Sequence, residues 1–146
     1  MQLTSAFVLA LLGPTVLAAP TSPVSALNPE AVVINEFTAR HETSGLVSSV
    51  GLRITALDAE NLDCTKTDGV TLETKYNCGE SKYSFALVKG TAETWGLRIY
   101  HRWGVASGAS GSGDVPAYCH AGPLGSTVCT SQNPLPWYID AAPKDW

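Results

Sequence analysis

The segment Tyr76-Asn-Cys-Gly-Glu-Ser-Lys-Tyr-Ser-Phe85 places a cysteine and a glycine between two stretches in which apolar and polar side chains alternate. Residues 70–78 alternate before the glycine and residues 82–87 alternate after it, which is the pattern of strands with one buried face. Gly79 lies where the chain must reverse, and a residue without a Cβ atom tolerates the backbone angles of a tight turn. The sequence therefore predicts a β-hairpin over residues 70–87.

Cys78 of this hairpin is one of four cysteines in the chain. In an exported protein, four cysteines favour two disulfides over metal ligands or nucleophiles, and no Cys-x-x-Cys pair typical of zinc sites occurs. Four cysteines allow three connectivities. We prefer Cys64–Cys78 with Cys119–Cys129, because this pairing closes the two shortest loops and links neighbouring segments. Each such disulfide is expected to stabilise the fold by roughly 3 kcal/mol by restricting the unfolded chain.

The beginning of the chain has the features of an export signal. Residues 1–18 contain no charged side chain, include a short apolar run and end on small residues. These features predict a secretory signal peptide cleaved after Ala18 or Ala19. No later apolar stretch is long enough to span a bilayer. We therefore expect a secreted, extracellular protein without a membrane span.

The remaining chain predicts one β domain. Residues 19–30 are rich in Pro and Ser and predict a flexible leader, the folded domain is expected over residues 31–140, and residues 141–146 form a tail. Besides the hairpin, alternation predicts strands over residues 31–40, 49–56, 97–103 and 137–139. No segment has a sustained helical period. The expected fold is all-β, a small antiparallel β-barrel or sandwich held by two disulfides.

Two segments between these strands lack a clear strand pattern. Residues 58–68 are polar and predict a loop or a short edge element. The run Ser-Gly-Ala-Ser-Gly-Ser-Gly at residues 107–113 is low in complexity and predicts a flexible loop.

The charge of the chain bears on its partners. Nine basic and thirteen acidic residues give a formal net charge of −4, and the basic residues form no cluster. Nucleic acid is therefore not an expected partner, because binding it depends on Lys and Arg neutralising phosphates. Nothing in the sequence indicates a cofactor or a metal.

Five short motifs together resemble a known family. They are Ile34-Asn-Glu-Phe37, Ser49-Val-Gly-Leu52, Leu62-Asp-Cys64, Tyr76-Asn-Cys-Gly-Glu80 and Tyr118-Cys-His-Ala-Gly122. In this order they resemble the Alternaria major-allergen (Alt a one) family. The most specific are the last two, since both fix cysteines among distinctive turn residues.

This resemblance implies a secreted fungal protein with a compact antiparallel β-barrel, two internal disulfides paired as preferred above and no established catalytic mechanism. Members of the family are similar to effectors and elicitors that meet plant tissue, and some are human allergens. Some relatives carry an extra cysteine near the mature N-terminus that links two subunits. Here no cysteine precedes Cys64, so we expect no covalent dimer.

Catalytic groups are not expected. If all four cysteines form disulfides, no thiolate nucleophile remains. His41, His101 and His120 form an acid–base or metal site only if the fold brings them together. Glu36 and Glu80 form a glycosidase pair only at a separation of ~5 Å or ~6.5–9.5 Å. Carboxylates held by backbone donors or by arginine are the simpler interpretation.

The strand over residues 97–103 offers a candidate binding face. Arg98, Tyr100 and Arg102 point to the side opposite Leu97 and Ile99. Tyr and Arg supply much of the binding energy at protein interfaces. The residues alone predict a secreted, stable β domain. The family resemblance implies more, namely a secreted fungal effector, elicitor or allergen-like protein that binds host plant proteins or cell-wall components. A glycan-binding module of the cell wall or apoplast is the first alternative, and a small secreted hydrolase is the second.

Overall fold

The computed structural model describes residues 28–142, which fold into ten β-strands and one short 3₁₀ turn. The strands are β1 Glu30–His41, β2 Val47–Ala56, β3 Ala59–Lys66, β4 Tyr76–Asn77, β5 Tyr83–Lys89, β6 Trp95–Gly104, β7 Ser107–Val115, β8 Tyr118–Ala121, β9 Thr127–Ser131 and β10 Leu135–Ile139. The 3₁₀ turn is Pro123–Gly125. The predicted all-β fold is confirmed. The predicted signal peptide and most of the predicted leader lie outside the described residues.

The strands form two antiparallel sheets. The first sheet has the order β3-β2-β1-β9-β8, and β10 pairs with the beginning of β1. The second sheet has the order β4-β5-β6-β7. The apolar side chains of both sheets pack together in one core, so each sheet covers the hydrophobic face of the other. Within residues 28–142, no helix has the length and apolar character needed to cross a membrane.

A β-bulge in β1 lets both halves of this long strand contribute to the core. Val32 and Ile34 are buried before the bulge, and Phe37 and Ala39 are buried after it. The pairing with β2 shifts register here, and Glu36 adopts a positive φ of 53°. An extra residue in one strand reverses which side chains face inward. The uninterrupted alternation expected for residues 31–40 is therefore broken at Glu36.

The two disulfides fasten different parts of the fold. Cys64 on β3 bonds to Cys78, which directly follows β4, so this bridge connects the edge strands of the two sheets. Cys119 and Cys129 are paired residues on β8 and β9, so the second bridge lies within the first sheet. No cysteine is left free in the described part of the chain.

The central hairpin is shorter than predicted. Gly79 occupies the turn with a φ of 57°, as expected, but the strand before it is only β4. Upstream of β4 the chain turns instead: Glu73 has a φ of 63°, and its N–H donates to the Leu87 carbonyl. The Tyr76 hydroxyl accepts the Thr71 N–H at 2.8 Å and holds this turn closed. Local hydrogen bonds thus outweigh an alternation that was only approximate.

The segment 107–113 is a strand and not a flexible loop, so this prediction was wrong. It forms most of β7 and pairs with β6 along its whole length. A Cβ atom on Gly111 would lie 2.5 Å from the Tyr138 carbonyl oxygen, and one on Gly113 would lie 3.1 Å from the Trp137 ring. The glycines are there because β10 passes too close for larger side chains. Residues 58–68, expected as a loop or short edge element, contain the edge strand β3.

Candidate binding site

β6 positions the predicted binding face on the outer side of the second sheet. Its inward side chains, such as Leu97 and Ile99, are fully buried, so the side chains between them point outward. Arg98 and Arg102 are exposed. Tyr100 is only 3% exposed, so little of its side chain is accessible to a partner.

Tyr100 is covered by its surroundings. The Lys75 ammonium lies 5.3 Å from the centre of its ring, in cation–π geometry. Tyr100 is flanked on the neighbouring strands by Ser84 and Ser110. The Tyr100 ring therefore lies beneath the Lys75 ammonium. The alternation of the sequence could not show that the turn containing Lys75 lies over this ring.

The two arginines of the predicted face lie in different grooves. Arg98 lies in a groove of about 480 Å³ that also contains the carboxylates of Glu73 and Asp114. The Asp114 carboxylate accepts the backbone N–H groups of Thr91 and Ala92, each at 2.7 Å. These hydrogen bonds lower the pKa of Asp114, so the groove keeps a negative charge beside Arg98.

Arg102 lies in a larger groove of about 720 Å³, here called the Arg102 groove. Its lining residues are Lys75, Asn77, Gly79, Glu80, Ser81, Lys82, Ser84, Tyr100, Arg102, Trp103, Gly104 and Val105. Three of these carry a positive charge and only Glu80 carries a negative one. The Arg102 groove is therefore basic on a protein whose net charge is −4.

The β6–β7 turn fixes the guanidinium of Arg102. Its Nε donates to the Gly104 carbonyl at 2.9 Å, and its Nη2 donates to the Val105 carbonyl at 3.0 Å. These bonds hold the planar group in one orientation while its other N–H groups remain available. The arginine is thus preorganised, and less rotamer entropy is lost when it binds an anion.

Trp103 lies next to the last residue of β6, at the boundary between two depressions. It is 45% exposed and lines both the Arg102 groove and a second pocket of about 600 Å³. The second pocket is lined by apolar side chains such as Leu57 and by polar ones that include His101. The Trp103 ring meets the His101 ring edge to face, with 5.2 Å between centroids. Trp103 was not predicted as a site residue, because its parity along the strand is that of the core.

A buried polar network beneath Trp103 connects the two sheets. Glu30 accepts the Tyr83 hydroxyl through Oε1 and faces His101 Nδ1 through Oε2, both at 2.6 Å. A carboxylate only accepts hydrogen bonds, so we assign the proton to His101 Nδ1. The rings of Tyr83 and His101 stack 4.2 Å apart. Burial and the Glu30 charge raise the pKa of Tyr83 well above its usual value, which keeps its hydroxyl protonated.

Glu30 is the residue of this network that sequence reasoning missed. The sequence predicts Glu30 as the end of the flexible leader, whereas it is the first residue of β1 and its side chain is only 10% exposed. The sequence feature that could have indicated its role is a single acidic residue directly before a strongly apolar strand.

Asp58 connects the buried network to the Arg102 groove. Its Oδ2 lies 3.5 Å from His101 Nε2 and 3.1 Å from Lys82 Nζ. The 3.5 Å contact is too long to be a hydrogen bond, and Nε2 is buried without a partner. Lys82 is thereby paired with a carboxylate of the turn between β2 and β3.

Comparison with known proteins places this fold in a family. Residues 34–130 match the family model described as Alternaria alternata allergen 1. The chain belongs to the Alternaria alternata allergen 1 family. It is 37% identical over 149 aligned residues to effector protein PevD1 of Verticillium dahliae, which covers 98% of this chain and 96% of that protein.

Two solved structures of the Alternaria alternata allergen Alt a 1 share the fold. One superposes with a TM-score of 0.61 at 24% identity and covers 82% of this chain and 93% of its own. The other superposes with a TM-score of 0.59 at 24% identity and covers 75% and 90%. The allergen 1 family membership expected from the motifs of the sequence is thus confirmed.

The remaining histidines and carboxylates named from the sequence do not converge. His41 packs against Trp95, and His120 stacks on Tyr118, while His101 belongs to the buried network. Residues 28–142 contain no group of three or more His, Cys, Asp or Glu side chains placed to hold a metal ion.

The two glutamates of the hypothetical glycosidase pair lie in separate places. Glu36 is exposed on the first sheet and accepts a hydrogen bond from Arg53 Nε at 2.9 Å. Glu80 lies in the turn after β4, on the rim of the Arg102 groove. Each has the surroundings of a surface carboxylate.

Proposed function

We propose that this protein is a secreted fungal effector that acts by binding an extracellular component of a host plant, without catalysis. The Arg102 groove is the contact surface in this proposal. Support for the effector class comes from the 37% identity to a protein named as an effector, along nearly the whole chain.

The observation that carries the proposal is the basic Arg102 groove on an acidic protein. Lys75, Lys82 and Arg102 line one groove together with a half-exposed tryptophan. Arg and Trp are enriched among residues that dominate binding energy. A basic patch on a protein of opposite net charge steers a negatively charged partner to one place.

The groove also has a rigid frame. Its residues 79–82 directly follow Cys78, which is bonded to Cys64 on the other sheet. Arg102 is held by two backbone carbonyls, and Lys82 is held by Asp58. Because these groups are ordered before binding, association loses less conformational entropy.

The test is capture of plant components on the immobilised, oxidised mature protein. Plant apoplastic fluid is passed over wild type, over Lys82→Glu and over Lys89→Glu, with reduced and alkylated protein as the unfolded control. Both substitutions change the charge equally, but Lys89 lies outside the Arg102 groove.

We expect a component that wild type and Lys89→Glu retain and that Lys82→Glu and the reduced protein lose. Equal retention by both variants would place the contact elsewhere. If oxidised wild type retains no more than the reduced control, the binding function itself is wrong.

A further inference from the structure

We propose that the Arg102 groove binds a carboxylate-bearing plant cell-wall oligosaccharide, that is, a short chain of uronic acid residues. This inference rests on the proposed binding function and names the ligand class for the same groove. It follows from the charge, the shape and the neutral lining of the groove.

The charge of the groove favours an anionic ligand. Lys75, Lys82 and Arg102 line the groove, and Glu80 is the only carboxylate among its lining residues. The Asp58 carboxylate, 3.1 Å from Lys82 Nζ, offsets part of the Lys82 charge, so the guanidinium of Arg102 is the main anion-binding group. Cations at several positions lining one groove suit a ligand that carries more than one carboxylate.

Arg102 has the geometry that a carboxylate needs. Its Nε and one Nη2 hydrogen are engaged by the carbonyls of Gly104 and Val105. The guanidinium edge that remains presents N–H donors in a fixed plane. A planar donor group recognises a planar carboxylate better than a flexible ammonium does.

The neutral lining fits sugar hydroxyls and sugar rings. Asn77, Ser81 and Ser84 line the groove, and the Ser84 hydroxyl donates to Asn77 Oδ1 at 3.0 Å, which leaves the Asn77 amide N–H₂ to donate. Trp103 is 45% exposed at one end. An aromatic face next to mixed hydrogen-bonding groups suits the apolar C–H face and polar edge of a pyranose.

The architecture favours a glycan over an acidic peptide. The floor of the groove is a sheet face, where β5, which carries Ser84, is paired with β6, which carries Tyr100. An extended peptide gains most from an open strand edge, where backbone groups are unpaired. A groove of about 720 Å³ also lies in the range of roughly 300–1,000 Å³ that small ligands occupy.

Isothermal titration calorimetry on the full oxidised mature protein tests this inference. The probes are oligogalacturonate, the same oligosaccharide with its carboxylates methyl-esterified, and a poly-glutamate peptide of equal charge. We expect oligogalacturonate to bind, methyl esterification to weaken binding by at least about tenfold, and poly-glutamate to bind more weakly than oligogalacturonate.

Matched variants locate the site. Lys82→Glu is expected to weaken oligogalacturonate binding by about tenfold or more, and Lys89→Glu to change it less than about twofold. Circular dichroism spectra and thermal midpoints confirm that both variants are folded. The inference is overturned if no oligogalacturonate binds, if the methyl ester binds equally well, if poly-glutamate binds more tightly, or if the two variants behave alike.

The capture experiment separates this inference from the proposed function. If the oxidised protein retains a plant component but does not bind oligogalacturonate, the glycan assignment fails and the binding function stands. If neither plant fluid nor oligogalacturonate yields binding, both fail.

Discussion

Replacing Glu30 with alanine removes the centre of the buried network between the two sheets. Glu30 accepts from Tyr83 and from His101, each at 2.6 Å, and its side chain is only 10% exposed. After Glu30→Ala, the Tyr83 hydroxyl and the His101 Nδ1–H stay buried without this acceptor.

The expected loss follows from these two orphaned donors. Leaving a buried donor without a partner costs about 1–3 kcal/mol, and hydrogen bonds to charged groups lie at the upper end. Two donors give about 3–5 kcal/mol, and relief from burying a carboxylate offsets part of this. We expect Glu30→Ala to lower the free energy of unfolding by about 3 kcal/mol, a large share of the 5–15 kcal/mol typical of domains.

Urea unfolding of the oxidised protein, monitored by circular dichroism, measures this loss. Glu60→Ala is the control, because Glu60 is exposed on β3 and its change is expected to stay within about 0.5 kcal/mol. Tyr83→Phe keeps the ring but removes the hydroxyl, so it completes a double-mutant cycle with Glu30→Ala. The two changes together should cost about 1–2 kcal/mol less than the sum of the single changes.

Two results would refute this reasoning. A loss below about 1 kcal/mol for Glu30→Ala would mean that the network does not hold the sheets together. A coupling energy near zero would mean that Glu30 and Tyr83 do not interact.

Three further predictions concern pH, β7 and the disulfides. The pKa of Tyr83 is raised in the folded state. The protonated hydroxyl therefore contributes fully to stability below the unfolded pKa of about 10, and this contribution is lost as pH rises further. Between about pH 8 and about pH 11, the unfolding free energy should fall less steeply for Tyr83→Phe than for wild type. Gly111→Ala should lower the unfolding free energy by about 1–3 kcal/mol, because a Cβ atom there would lie 2.5 Å from the Tyr138 carbonyl oxygen. Gly51→Ala is the control and should change it by less than about 1 kcal/mol, because a Cβ atom on Gly51 would lie 3.6 Å from Thr65 Oγ1. Equal effects of the two substitutions would contradict the packing of β10 on β7. Peptide mapping without reduction should recover the two disulfides described above, and any crossed pair would refute the link between the sheets.

Much of the fold could be predicted because its signals are local. The alternation around Leu52 and Ile99 depends only on neighbouring residues, so those strands and their buried faces were predicted. Gly79 marked the hairpin turn because its conformation is a property of the residue itself. The four cysteines limited the connectivity to three possibilities before any contact was known.

What could not be predicted depends on contacts between distant segments. The low-complexity run at residues 107–113 becomes a strand because β10 packs on its glycines, and nothing within the run shows this. The bulge at Glu36 changes the inward parity of β1 through its pairing with β2.

The candidate site was predicted only in part for the same reason. Arg98 and Arg102 are exposed as expected, but Tyr100 is covered through Lys75, which lies 25 positions earlier in the chain. Glu30 lies 53 positions from Tyr83 and 71 from His101, so no local pattern indicates the network. Hydrogen bonds and cation–π contacts across such separations are visible only in the fold.

The most direct test of the proposed binding function is amide hydrogen–deuterium exchange with and without the component captured from plant apoplastic fluid. Binding at the Arg102 groove predicts slower exchange in residues 79–82 and 100–105, with little change at β8 Tyr118–Ala121, which lies at the far edge of the other sheet. Protection confined to β8 and β9, with residues 79–82 and 100–105 unchanged, would contradict the assignment of the Arg102 groove as the contact surface.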